Sequence, residues 1–218
     1  MAQIDNDGKI VYTRITESTV VQANYLASRQ DEYFVDDAIN WYTGLMPWNW
    51  GTPPISHTEI GFWLDGKLWF FSSTSRKDLG GGTGTRWMPA NEMLHNPERW
   101  KLQEKELPEL NGGCFEISCK VDRANQLIGL AYDMYGVIAD FVNPVRVCIK
   151  HYMLAVVDNI KKIYCSKAVH AVDTGELAVM SPKRRYKVAK EDGYEDVPLS
   201  TRLWCKDKGI DTKSLGSE

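Results

Sequence analysis

The plainest pattern of apolar and polar positions runs from Ile55 to Thr74, ISHTEIGFWLDGKLWFFSST. Two apolar runs flank Asp65-Gly66, a dipeptide suited to the left-handed conformations of a two-residue hairpin turn. The pattern predicts a β-hairpin in which Leu64 lies opposite Lys67. Counting back, Gly61 faces Phe70, Glu59 faces Ser72 and His57 faces Thr74. Side chains alternate along a strand, so His57, Glu59, Ser72 and Thr74 share one face. Polar groups gathered at one end of an apolar ribbon have the form of a site.

The remaining elements follow from period and punctuation. KIVYTRI alternates as a strand, and TVVQANYLASRQDEYFVDDAINWYTG reads as helical stretches ending at Gly44. LMPWNWGTPP is a Pro/Trp/Gly loop leading into the hairpin. RKDLGGGTGTRWMP is a glycine-rich loop, either a flap beside the site or a connector. It lacks the Gly-Lys-Ser/Thr ending of a phosphate loop and the pattern of a dinucleotide fingerprint. NEMLHNPERW reads as a short helix, and WKLQEKEL and GCFEISCKV as strands. Ala124, Leu127, Ile128 and Ala131 have helical spacing, with Asp122 as N-cap. YGVIADFVNP and VRVCIKHYMLAVV read as buried material, helical or extended. Ala168, Val169 and Val172 predict a short helix whose first turn holds Cys165 and Ser166. Ser181 and Pro182 then cap and open another helix, and the last dozen residues read as loose.

Composition narrows the classes. The 218 residues suit one large domain, or one domain with extensions. Hydrophobic residues make up 43% and charged residues 25%, enough to fill a core. The net charge of −3 offers no basic field for nucleic acid, and Lys183-Arg184-Arg185 is too short a run to change that; it reads as a solvated helix face. MAQIDNDGKIVYTR lacks a signal-peptide pattern, and no apolar run approaches the roughly 20 residues of a membrane span. A cytoplasmic setting is therefore expected. The five cysteines fit reduced thiols better than a disulfide framework. The eight tryptophans are expected in core and rim packing.

Candidate chemistry centres on Cys165. A thiol in the first turn of a helix feels the positive end of the dipole, which favours thiolate. With His57 as base, and Glu59 or Ser72 to orient it, Cys165 has the parts of a nucleophile; its own backbone amide would meet an oxyanion. The alternative for Cys165 is a small buried hydrophobe. Cys114, Cys119, Cys148 and His151 include a Cys-x-x-His spacing, but the gap between Cys114 and Cys119 is wide for zinc, and no metal or cofactor is expected. His95, before Asn96-Pro97, reads as an exposed loop residue. His170 is the runner-up base, on the helix of Cys165 but directed around it.

In order along the chain, these pieces resemble the circularly permuted, papain-like cysteine hydrolases of the NlpC superfamily, specifically the YiiX-like branch of bacteria and viruses. SHTEI at 56–60 matches its Ser-His-x-Glu strand, and DGKLWFFSSTSR resembles the hairpin return of phage-borne relatives. GTGTRWMP is similar to the Gly-Val-Arg segment that follows, AYDMYGVI at 131–138 to a Tyr-Asp-x-x-Gly-Ile/Leu helix end, and YCS at 164–166 to the nucleophile motif. The likeness spans residues 31–190. Two positions depart from it: Lys167 stands where many relatives have an acid, and Ser72 where some carry one. The resemblance implies an α+β fold with an antiparallel sheet packed against helices, an N-terminal extension at 1–30 and a C-terminal tail at 191–218. It also implies a thiol amidase or peptidase with Cys165 as nucleophile, His57 as base, and Glu59, ahead of Ser72, as the third group. Its substrates would be peptides, peptidoglycan peptides or acyl lipids, and a phage-encoded chain would be virion-associated. The other reading is a non-catalytic binding or virion-structural protein that keeps the fold.

Overall fold

The computed structural model describes residues 1–27, 50–74, 84–108, 113–132, 162–178 and 180–212. Strands β1 (Gln3–Ile4) and β2 (Ile10–Val11) form a small antiparallel ribbon, and β3 (Ile15–Leu26) follows. Next come β4 (Ile55–Leu64), β5 (Lys67–Thr74), β6 (Gly84–Pro89) and the short helix α1 (Ala90–Met93). A 3-10 turn at Pro97–Arg99 leads into β7 (Trp100–Glu106), then α2 (Gly113–Gln126). The parallel pair β8 (Ala131–Tyr132) and β9 (Lys162–Ile163) precedes α3 (Cys165–Thr174). The described chain closes with α4 (Pro182–Glu191), β10 (Glu195–Asp196) and α5 (Thr201–Asp207).

The fold is α+β. Six strands form one antiparallel sheet in the order β10-β7-β3-β4-β5-β6. One cluster of buried residues joins Val20, Ile60, Phe62 and Phe71 of the strands to Ile117 and Val121 of α2, Val169 and Val172 of α3, and Ala189 of α4. A second joins Val21, Ala23, Trp63, Leu68 and Phe70 to Met93 of α1 and Trp204 of α5. Adjacent strand residues thus enter different cores, as the pleat requires. A sheet covered on both faces needs apolar side chains at both parities, which explains why GFWL and LWFF do not alternate.

The hairpin has the predicted register, from Leu64↔Lys67 to Ile60↔Phe71. Asp65 and Gly66 both take positive φ, 49° and 78°, the conformation that a tight hairpin turn demands. The Asp65 carboxylate accepts hydrogen bonds from Thr13 Oγ1 at 2.6 Å and from the Arg14 amide at 2.9 Å. The Thr13 hydroxyl, with the backbone amides of Thr13 and Arg14, holds it well below the usual carboxylate range. Gly61 faces Phe70, and a Cβ there would lie 2.7 Å from the fully buried ring. Gly61→Ala is expected to cost about 1–3 kcal/mol by overpacking. The measurement is the urea midpoint at unchanged slope.

Several expectations are corrected. Thr19–Leu26 is strand, not helix, because β3 lies inside the sheet and its apolar residues serve both faces. The stretch expected as an N-terminal extension therefore supplies an interior strand. KIVYTRI is divided between β2 and the start of β3. GCFEISCKV is helical: Ile117, Val121 and Ala124 recur at helical spacing and are buried, so Asp122 sits inside α2 rather than capping it. GTRWMP is a strand rather than loop. In the expected tail, β10 pairs with β7, and Trp204 and Cys205 of α5 are buried. Residues 28–49, 75–83 and 133–161 lie outside the described residues, and with them the readings made there. Among the described residues, no helix is long and apolar enough to cross a membrane.

Candidate active site

Strand β4 supplies His57 and Glu59, and β5 supplies Ser72. Past Ile60↔Phe71 the β4–β5 pairs stop, while β4 stays paired with β3 through Tyr25↔His57 and β5 with β6 through Thr74↔Gly84. The extrapolated pairs Glu59/Ser72 and His57/Thr74 are thus not rungs of the ladder, yet the side chains meet. His57 Nε2 donates to Glu59 Oε1 at 2.8 Å, and Ser72 Oγ donates to the same oxygen at 2.6 Å. Two residues apart on one strand, His57 and Glu59 touch directly, so Ser72 is not a bridge between them.

Cys165 opens α3. The N-cap position is Tyr164, whose side chain makes no capping hydrogen bond, so it takes up no first-turn amide. Two contacts fix where this end of the helix arrives. Ser73 Oγ donates to the Ile163 carbonyl at 3.0 Å, tying the approach to the end of β5. Ser166 Oγ donates to the Met180 carbonyl at 2.5 Å, tying the first turn to the segment before α4. The charge of Cys165 acts on the His57 ring, so the start of α3 lies beside it.

The electrostatics match this geometry. Burial by itself pushes His57 towards the neutral form, but the charge and hydrogen bond of Cys165, then those of Glu59, outweigh it and raise the ring to about 10. Cys165 is 3% exposed, His57 4%, and Glu59 and Ser72 not at all. The Trp100 ring meets the His57 ring edge-on, with centroids 6.4 Å apart, and meets Tyr25 at 5.1 Å. Thr201 Oγ1 donates to the Trp100 carbonyl at 2.5 Å, so α5 holds this wall in place. Sequence reasoning missed both Trp100 and Tyr25, whose proximity to His57 depends on the β3 strand it took for helix.

The far end of α3 is anchored by charge. Asp173, 6% exposed, accepts from Lys120 Nζ of α2 at 2.8 Å and from the Tyr194 hydroxyl at 2.9 Å, and it pairs with Arg185 of α4. Arg123 Nε donates to the Val172 carbonyl at 2.8 Å. These cations converge on the last carbonyls of the helix, where the dipole favours them. The basic run at 183–185 is therefore not a solvated face: Arg185 is wholly buried and Lys183 5% exposed. A lone acid near the end of an apolar helix, with a basic run to follow, was the signal that could have revealed this pairing.

The other candidates stand apart. His170 is buried on α3, and the charges acting on it are those of Arg185, Asp173, Asp192 and Glu176; burial and Arg185 push its pKa down. His95 is bonded to the Glu92 carbonyl at 2.8 Å in the turn after α1. Cys119 is a half-buried free thiol on α2, not on a strand. Cys148 and His151 lie outside the described residues, and among those described no three His, Cys, Asp or Glu groups could hold a metal ion. No family model, curated protein or solved structure matches the chain.

Proposed function

We propose that this chain is a cysteine-dependent hydrolase of amide or ester bonds, built as a circularly permuted papain-like domain. The observation that carries the reading is one buried imidazole bonded to the Glu59 carboxylate at 2.8 Å and acted on by the charge of the Cys165 sulfur, which together raise it to about 10. The order of parts, with the histidine strand early and the cysteine helix late, agrees with a permuted arrangement.

In this mechanism the Cys165 thiolate attacks the substrate carbonyl carbon and a C–S bond forms. First-turn amides of α3, beginning with that of Cys165, face the oxyanion. His57 then gives its proton to the leaving nitrogen or oxygen as that bond breaks, leaving a thioester. Acylation removes the sulfur's charge, and with it the leading cause that raised His57. Burial then favours the neutral ring, which suits it to take a proton from water as water attacks the thioester. The C–S bond breaks, an acid leaves, and the thiolate–imidazolium pair returns. Glu59 holds Nε2 throughout.

Peptides, peptidoglycan peptides and acyl lipids are the substrate classes to screen. Turnover of one of them is expected, with a covalent acyl adduct on Cys165 by mass spectrometry and loss of both in Cys165→Ala. Hydrolysis that survives that substitution would overturn the proposal. The burial of Cys165 and His57 favours a second reading, a non-catalytic protein that keeps the fold. That reading expects no adduct with any of the three classes.

A further inference from the structure

We infer that Ser72 is a positioning residue, the fixed donor that keeps the Glu59 carboxylate aimed at His57. This deepens the hydrolase reading and rests on it. Glu59 is completely enclosed, and both of its hydrogen bonds fall on one oxygen: Oε1 accepts from His57 Nε2 at 2.8 Å and from Ser72 Oγ at 2.6 Å. Its other oxygen, Oε2, is buried without a partner. A carboxylate held so unevenly has little to stop it rotating about its terminal bond, a broad torsion with no steep well of its own. His57 alone is a weaker restraint, because its ring loses and regains a proton through a catalytic cycle. Ser72 does not titrate, and it lies on β5, which is paired with β6 on its other side from Trp69↔Pro89 to Thr74↔Gly84. The anchor is therefore a rigid strand rather than a loop.

The geometry has an electrostatic consequence. Among the described residues, the charges acting on His57 are those of Cys165 from α3 and Glu59 from its own strand. Trp100 and Tyr25, which wall it, are uncharged. If Glu59 turns away, only the sulfur is left to hold the proton on the ring against burial. Ser72 thus acts on the reacting pair through Glu59, without touching substrate.

The test uses the full chain and reads the alkylation of Cys165 by iodoacetamide at pH 6 and pH 8. Ser72→Ala is expected to raise the ratio of the two rates at least fivefold above that of the unsubstituted chain. Its His57 titration midpoint, followed by NMR, should fall, since one of the two charge partners is weakened. The second comparison is Ser72→Thr against Ser72→Val, which share a shape and differ by the hydroxyl. The Thr variant is expected to keep the original ratio and the Val variant to follow Ala. A merely structural role would move melting temperature in all three variants without separating their pH profiles. If the unsubstituted chain is flat between pH 6 and 8 and the Ala and Val variants are equally flat, the role of Ser72 is overturned while the hydrolase reading stands. If the unsubstituted chain already behaves as an ordinary thiol, the hydrolase reading falls and the role of Ser72 falls with it.

Discussion

Replacing His57 with alanine should convert Cys165 from a thiol whose alkylation rate barely changes between pH 6 and pH 8 into one whose rate rises about a hundredfold over the same interval. The reason is where one shared proton resides. A free cysteine titrates near pH 8.5 and loses about tenfold in thiolate for each pH unit below that. Beside it, the His57 ring is raised to about 10 despite burial, by Cys165 first and Glu59 second. At neutral pH the proton stays on the raised ring, a positive charge beside the sulfur that favours its reactive form. Without the imidazole, nothing takes that proton, and the ordinary steep profile returns. On the proposed hydrolase reading, turnover should fall with it, by roughly two to four orders of magnitude, the usual cost of losing a general acid–base group. The same linkage has a sign for stability. A group raised on folding stabilises the native chain fully below its unfolded value, about 6.5 for histidine, and loses that contribution as pH rises through about 10. Urea denaturation between pH 6 and 10 should therefore show the unsubstituted chain losing an advantage over His57→Ala. A flat difference across that range, together with steep alkylation in both proteins, would remove the ion pair from the account.

Asp173→Asn is expected to produce the largest loss of stability, about 3–5 kcal/mol, the cost of leaving buried cations without their counter-charge. Arg185 is wholly enclosed and Lys120 is 3% exposed, so neither can turn to water when the carboxylate is neutralised. Burial alone would raise the Asp173 carboxyl, but Arg185 and Lys120 hold it down to about 2. The pH dependence follows from that direction. A depressed carboxylate stabilises the fold above its unfolded value near 3.9, and the contribution is lost as pH falls through about 2. The gap between the unsubstituted chain and Asp173→Asn should thus be constant at neutral pH and close between about pH 4 and pH 2. Denaturant midpoints across that range measure it. Because Cys165 begins the helix that Asp173 nearly ends, about 12 Å away at 1.5 Å per residue, the substitution also loosens the thiol's support. Alkylation of the folded variant should show partial loss of the low-pH reactivity.

The hairpin was legible because its information is local. Asp65-Gly66 dictates the turn, and the turn dictates the register as far as Ile60↔Phe71, the pair next to Glu59 and Ser72. Helix α3 was legible for a similar reason, with Ala168, Val169 and Val172 marking one buried stripe. The misread segments were those whose period depends on what covers them. Strand β3 packs against helices on both faces, so VVQANY carries no clean alternation and imitates a helix. In GCFEISCKVDRANQ, Cys, Phe and Ile suggested a strand, while the spacing of Ile117, Val121 and Ala124 acquires meaning only against α3.

Pattern by itself determined a hairpin carrying His57, Glu59 and Ser72, and a helix opening at Cys165. Tertiary structure alone decided that the thiol reaches the ring, that Glu59 touches His57 without a bridge, and that Arg185 is spent inside the protein on Asp173. Backbone preferences act over a few residues, so they can be read along the chain. Proton affinities depend on burial and on charges brought in from distant segments, so they exist only once the fold has closed.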